Sequence, residues 1–145
     1  MKKAVIILVG LTSLALAIIG QDAVAPEAEK AAVIATALDY SDGGYSGDAE
    51  RMAGALHTDL NKLVFARRSP AMGYMSSYST FSQLVELTRT ASLVLEPEKR
   101  LTEASVLEIA GDVACAKIRT ANWCDYLQMV KAGGRWKIVN VLWTF

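Results

Sequence analysis

The chain has 145 residues with 15 basic and 15 acidic side chains, one histidine and two cysteines. An even charge balance excludes the clustered Lys and Arg on which nucleic-acid binding by phosphate neutralisation rests. A metal site wants at least three ligands, which a lone histidine with scattered carboxylates does not supply; no metal is expected, and no cofactor.

Met1-Lys2-Lys3 is followed by an uncharged run from Ala4 to Ile19 and then by Gly20-Gln21-Asp22. A basic start, an apolar stretch and a small residue make a secretory signal peptide of residues 1–20. A transmembrane span needs about 20 apolar residues, and this run is shorter. The expectation is export to the periplasm or the medium, with no membrane attachment after cleavage. Taking 20 residues from 145 leaves 125, enough for one domain with one core. The peptide would carry off Lys2 and Lys3, leaving 13 basic against 15 acidic groups.

Residues 21–28 read as a linker and 29–145 as the domain. Pro26, Glu27 and Glu29 suit a helix start. Val33, Ile34, Ala37 and Leu38 recur at helical spacing, and Asp42-Gly43-Gly44 is expected to stop the helix. A second helix capped by Ser46 or Asp48 would bury Ala49, Met52, Ala53 and Leu56. Leu63–Ala66 reads as a short strand, Ser69–Ser79 as a loop, and Thr80 as the cap of a third helix through Leu84, Val85 and Leu87.

From Leu101 the period changes to two. Gly111-Asp112 and Gly133-Gly134 each sit between strand-like runs and predict hairpins. Helices followed by strands make an α+β domain. A regular two-residue loop at Gly133-Gly134 would oppose Met129 to Ile138, Leu127 to Asn140, Asp125 to Leu142 and Trp123 to Thr144. That register sets Asp125 and Asn140 among apolar neighbours on one face, the composition of a small-molecule pocket. It sets Tyr126, Val139, Val141 and Trp143 on the other, where a second copy of the chain would cover them.

Cys115 and Cys124 are expected as separate buried thiols rather than a disulfide. Between them Ile118-Arg119-Thr120-Ala121 holds no turn-forming residue. His57 beside Asp59 is either a base oriented by a carboxylate or the end of a helix. No Gly-x-Ser-x-Gly elbow and no phosphate-cradling loop is present. No two groups have a spacing that would force their pKa values apart, so no strongly perturbed acid–base pair is expected.

Several segments carry a family resemblance: Tyr40 with Gly43, Gly47-Asp48 through Met52, Leu56-His57-Thr58-Asp59-Leu60, Gly111-Asp112-Val113-Ala114, Trp123, Asp125-Tyr126-Leu127 and Gly134 through Trp143. Over about residues 29–145 the chain resembles the nuclear transport factor 2-like superfamily, and within it the exported bacterial group described as "putative lumazine-binding". Thr58 stands where that group has a proline. The resemblance implies a cone-shaped, cystatin-like α+β fold, with N-terminal helices packed on a curved antiparallel sheet. It also brings His57 to the rim of the pocket with Trp123, Asp125 and Asn140. The function expected is binding of a small ligand. Two alternatives stay open: an isomerase- or dehydratase-type enzyme with Asp125 or His57 as base, and an assembly module whose pocket is filled.

Overall fold

The computed structural model describes residues 27–66, 73, 75–100, 102–120 and 123–144. The expected signal peptide and most of the linker lie outside the described residues. Three helices, α1 (Glu27–Ser46), α2 (Ala49–Ala55) and α3 (Phe81–Arg89), pack on one face of a six-stranded sheet. Its strands are β1 (Leu56–Ala66), β2 (Met75–Thr80), β3 (Thr102–Ala110), β4 (Val113–Thr120), β5 (Cys124–Ala132) and β6 (Arg135–Thr144), in the order β2-β1-β6-β5-β4-β3. All neighbours are antiparallel except β1 and β6, which run parallel, so the sheet is mixed rather than wholly antiparallel.

Both hairpin expectations hold, because Gly111, Gly133 and Gly134 supply the positive φ that tight turns require. Caps behave similarly. The Asp48 carboxylate accepts the Arg51 N–H at 2.9 Å, and Thr80 with Gln83 closes a capping box on α3. The first helix departs from expectation. It does not stop at Asp42-Gly43-Gly44 but runs on to Ser46, and Gly47 at φ 76° ends it. Gly43 and Gly44 are buried where α1 crosses α2. A Cβ on Gly43 would stand 2.8 Å from the Met52 backbone nitrogen, so these glycines permit a close helix approach rather than a stop.

Strand β1 begins at Leu56, seven residues earlier than expected, and β2 occupies part of the expected loop. Leu60, Lys62 and Val64 alternate toward the helices with Asn61, Leu63 and Phe65 outward.

The second hairpin carries the correction that matters most for the site. Met129 opposes Ile138 as expected, but Gln128 opposes Asn140, leaving Val139 as an extra residue in β6. Beyond this bulge every side chain of β6 changes face. Val141 becomes fully buried in the core, Leu127 opposes Val141 rather than Asn140, and Asp125 opposes Trp143 rather than Leu142. Asn140 turns to the outer face and donates to Gln128 Oε1 at 3.1 Å.

The core runs from Val33, Ala37 and Tyr40 of α1 through Met52 and Leu56 to Ile118, Leu127, Met129 and Ile138 of the sheet. Glu29 clasps the start of α1 to the second hairpin, accepting from Lys131 Nζ at 2.7 Å and from Trp136 Nε1 at 2.9 Å. The Lys131 bond, then the Trp136 bond, holds the Glu29 carboxyl below its usual range. Cys115 and Cys124 are half-buried free thiols on adjacent strands. The chain does turn between them, with the Thr120 N–H bonded to the Trp123 carbonyl at 2.9 Å.

Candidate functional site

A cavity of about 350 Å³ opens between the C-terminal half of α1, the segment after α3 and the far end of the sheet. Each element contributes by its period. On α1, Tyr40, Ser41, Gly44 and Tyr45 fall on one helical face. Strand alternation aims Lys62, Ile118, Asp125 and Trp143 from four strands at the same space. Leu93, Val94 and Leu95 form the third wall, held to α1 by the Leu95 N–H bond to the Tyr45 carbonyl at 3.1 Å.

In this mostly apolar setting lies one charged cluster. Asp125 is 2% exposed, and its Oδ2 accepts the Tyr40 hydroxyl at 3.0 Å. Lys62 Nζ donates to the same Tyr40 hydroxyl and stands 3.6 Å from Asp125 Oδ2. The ammonium also faces the rings of Tyr40 and Trp143, at 5.1 and 5.4 Å from their centroids. Among the described residues Asp125 Oδ1, itself buried, has no hydrogen-bond partner.

Burial pushes the Tyr40 hydroxyl well above the ordinary tyrosine value, and the Asp125 charge adds to the effect. Burial likewise lowers Lys62, against the opposing pull of Asp125. Tyr45 is pushed up to about 12, first by burial and then by Asp125, with the Thr120 side chain acting in the opposite direction. Sequence spacing pointed to no acid–base pair with strong mutual perturbation, and in the fold burial comes before Asp125 among the causes for both Tyr40 and Lys62. The groups involved are 22 and 85 residues apart in sequence and meet only in the fold.

Of the four residues expected at the pocket, Trp123 and Asp125 line it, with Trp123 packed against Tyr45 at 5.9 Å between ring centroids. Asn140 is on the opposite face for the reason given above. His57 is the second residue of β1, not a helix end, and it does not line the cavity; its Nδ1 accepts the Asp59 N–H at 3.2 Å. Lys62, Tyr45 and Trp143 were missed. The pattern Leu60-x-Lys62-x-Val64 is the signal that finds Lys62, once β1 is extended toward its N-terminus. Among the described residues no three His, Cys, Asp or Glu side chains gather as metal ligands would.

Comparison with known proteins bears on this geometry. Residues 28–144 match the family model described as "Putative lumazine-binding". The chain belongs to that family. No curated protein matches this family member in sequence. Among solved structures, an NTF2-like protein from Shewanella baltica OS155 superimposes with a TM-score of 0.62 at 18% identity, covering 78% of this chain and 90% of that one. A ketosteroid isomerase-like protein from Erwinia carotovora atroseptica SCRI1043 gives 0.54 at 12% identity, covering 82% and 97%. A protein described as a "putative dehydratase from the NTF2-like family", from Streptomyces avermitilis, gives 0.53 at 10%, covering 82% and 96%. At such identities the shared property is the fold, and this family member has the α+β fold of the NTF2-like and cystatin-like structures.

Proposed function

We propose that the chain is an exported small-molecule-binding protein, acting in the periplasm or outside the cell, whose ligand occupies the cavity above α1. The observation that carries this reading is an apolar cavity of about 350 Å³ with a buried, hydrogen-bonded charged cluster in one wall. Ligand sites span roughly 300–1,000 Å³ and are built in this way, apolar with few converging polar groups. The described side chains leave the space empty, which counts against the filled assembly module.

The test is a titration of the protein with lumazine, the molecule in the family's description, and with 2-naphthol, followed by amide NMR shifts and tryptophan fluorescence. Saturable binding is expected, with shifts centred on Tyr45 and Trp123, and Trp123→Ala should weaken it at least tenfold. Binding that leaves these residues unmoved would sink the assignment. The enzyme reading is favoured by one observation, the Lys62–Tyr40–Asp125 chain, along which a proton could pass. Chemical conversion of a bound ligand, lost in Asp125→Asn, would put that reading first.

The homodimer is proposed through a different set of residues from the one the sequence suggested. Val141 and Trp143 belong to the inner face, and Val139 is the bulge. The outer face instead aligns Tyr78, Leu63, Leu142 and Tyr126 in one row across four strands, with Tyr78, Leu142 and Tyr126 exposed. A two-fold pairing would use this stripe twice. Sedimentation at micromolar concentration should show a dimer that Leu142→Glu dissociates; a strict monomer would refute it.

A further inference from the structure

Among the described residues Lys62 is the lysine that lines the cavity. With 17% of its side chain exposed, against 3% for Asp125, it is the member of the ion pair that the cavity can reach. Its Nζ faces the rings of Tyr40 and Trp143, both of which line the same space. Burial weakens the hold of this ammonium on its proton. A lysine taken out of water in an apolar pocket is one of the ways in which an amine becomes a nucleophile.

A route for the proton is built beside it. Lys62 donates to the Tyr40 hydroxyl, which donates in turn to Asp125 Oδ2 at 3.0 Å. One shift along this chain turns ammonium and carboxylate into amine and carboxylic acid, and the cluster is neutral as a unit before and after. Away from water a charged pair loses much of its advantage over a neutral one, so the free amine is accessible here.

On the reading that this cavity is a binding site, we propose that Lys62 captures an uncharged, mainly apolar aldehyde or ketone as a reversible imine. The freed amine attacks the carbonyl carbon, so that a C–N bond forms while the C=O electron pair moves to oxygen. That oxygen takes one proton from the attacking nitrogen and a second from Asp125 through Tyr40, and leaves as water. Ammonium and carbonyl have then become iminium and water, with no oxidant or reductant required. The positive charge stays on the same nitrogen, where Asp125 still balances it. The body of the ligand lies against Leu93, Leu95, Ile118 and the rings of Tyr45 and Trp123. Exclusion of water by that wall protects the imine from hydrolysis.

The test adds 2-naphthaldehyde in equimolar amount to the folded full chain, then sodium cyanoborohydride, which reduces an imine to a stable amine, and locates the adduct by peptide mass spectrometry. Lys62 should carry it at least tenfold more often than Lys99, Lys117 or Lys137, and the preference should vanish in urea. Tyr40→Phe should slow trapping at Lys62 at least tenfold by breaking the proton route. Adducts spread evenly over the lysines, or absent from Lys62, overturn the inference. If 2-naphthol still binds in that case, the binding reading stands; if it does not, both fall together. Trapping at the full rate in Tyr40→Phe overturns the part given to the relay. The wild-type adduct map alone decides if Tyr40→Phe does not fold.

Discussion

Replacing Asp125 by alanine should lower the stability of the domain by about 3–5 kcal/mol, the usual cost of removing one partner of a buried ion pair. Lys62 has 17% of its side chain exposed and Asp125 3%, so neither charge can turn to bulk water without moving the strands that carry it. Without Asp125 the ammonium keeps only a phenol and two aromatic faces, and the Tyr40 hydroxyl loses its acceptor. Deleting both charges together is a different experiment. Asp125→Leu with Lys62→Met removes the pair rather than breaking it, and such replacements are often neutral or stabilising by about 1–4 kcal/mol. Urea denaturation of the single and double variants measures the contrast. A loss below about 1 kcal/mol for Asp125→Ala would mean that the pair behaves like an exposed one.

The second large effect is expected at Gly43. Alanine in a helix interior is normally favoured over glycine by about 1 kcal/mol, so propensity alone predicts stabilisation. Packing reverses the sign. The new Cβ would stand 2.8 Å from the Met52 nitrogen, and 3.2 Å from both the Asp48 carbonyl oxygen and the Met52 Cα, all of them backbone atoms that cannot rotate aside. Overpacking of this kind costs about 1–3 kcal/mol. Gly54 is the control, because a Cβ there meets nothing within 4 Å. Gly54→Ala should stabilise by about 0.4–1 kcal/mol through the unfolded chain. Thermal unfolding of the two variants should therefore show melting points displaced in opposite directions. A stabilised Gly43→Ala would show that α1 and α2 do not approach so closely.

What could be read from the sequence is what local rules determine. Turn glycines placed both hairpins, capping residues placed the starts of α2 and α3, and the change of period marked where helices give way to strands. Signals that tertiary packing overrides were misread. Asp42-Gly43-Gly44 has the composition of a helix end, but the close crossing of α2 demanded glycine inside the helix. Met75–Thr80, with three serines, shows no apolar period because it is the edge strand β2, one face of which meets water. The site was half visible for the same reason. Trp123 and Asp125 follow from the alternation of β5, whereas Lys62 and Tyr40 reach them from another strand and from a helix. Asn140 was misplaced by a bulge that leaves no mark in Lys137–Trp143, where either register buries apolar side chains.

That bulge also bears on how such a site can change over evolutionary time. Before it, Trp136 and Ile138 tie β6 to α1 and to the centre of the domain; after it, Val141 closes the core beside the cavity and Trp143 lines the cavity itself. Drift at the end of the strand can thus alter what the cavity accepts while the Glu29 clasp is left untouched. Gain or loss of a single residue at Val139 would exchange Asn140 and Leu142 for Val141 and Trp143, remaking the cavity wall and the outer stripe in one step. A lineage that keeps the fold could acquire a new ligand by insertion or deletion at this one position, without passing through a long series of point substitutions.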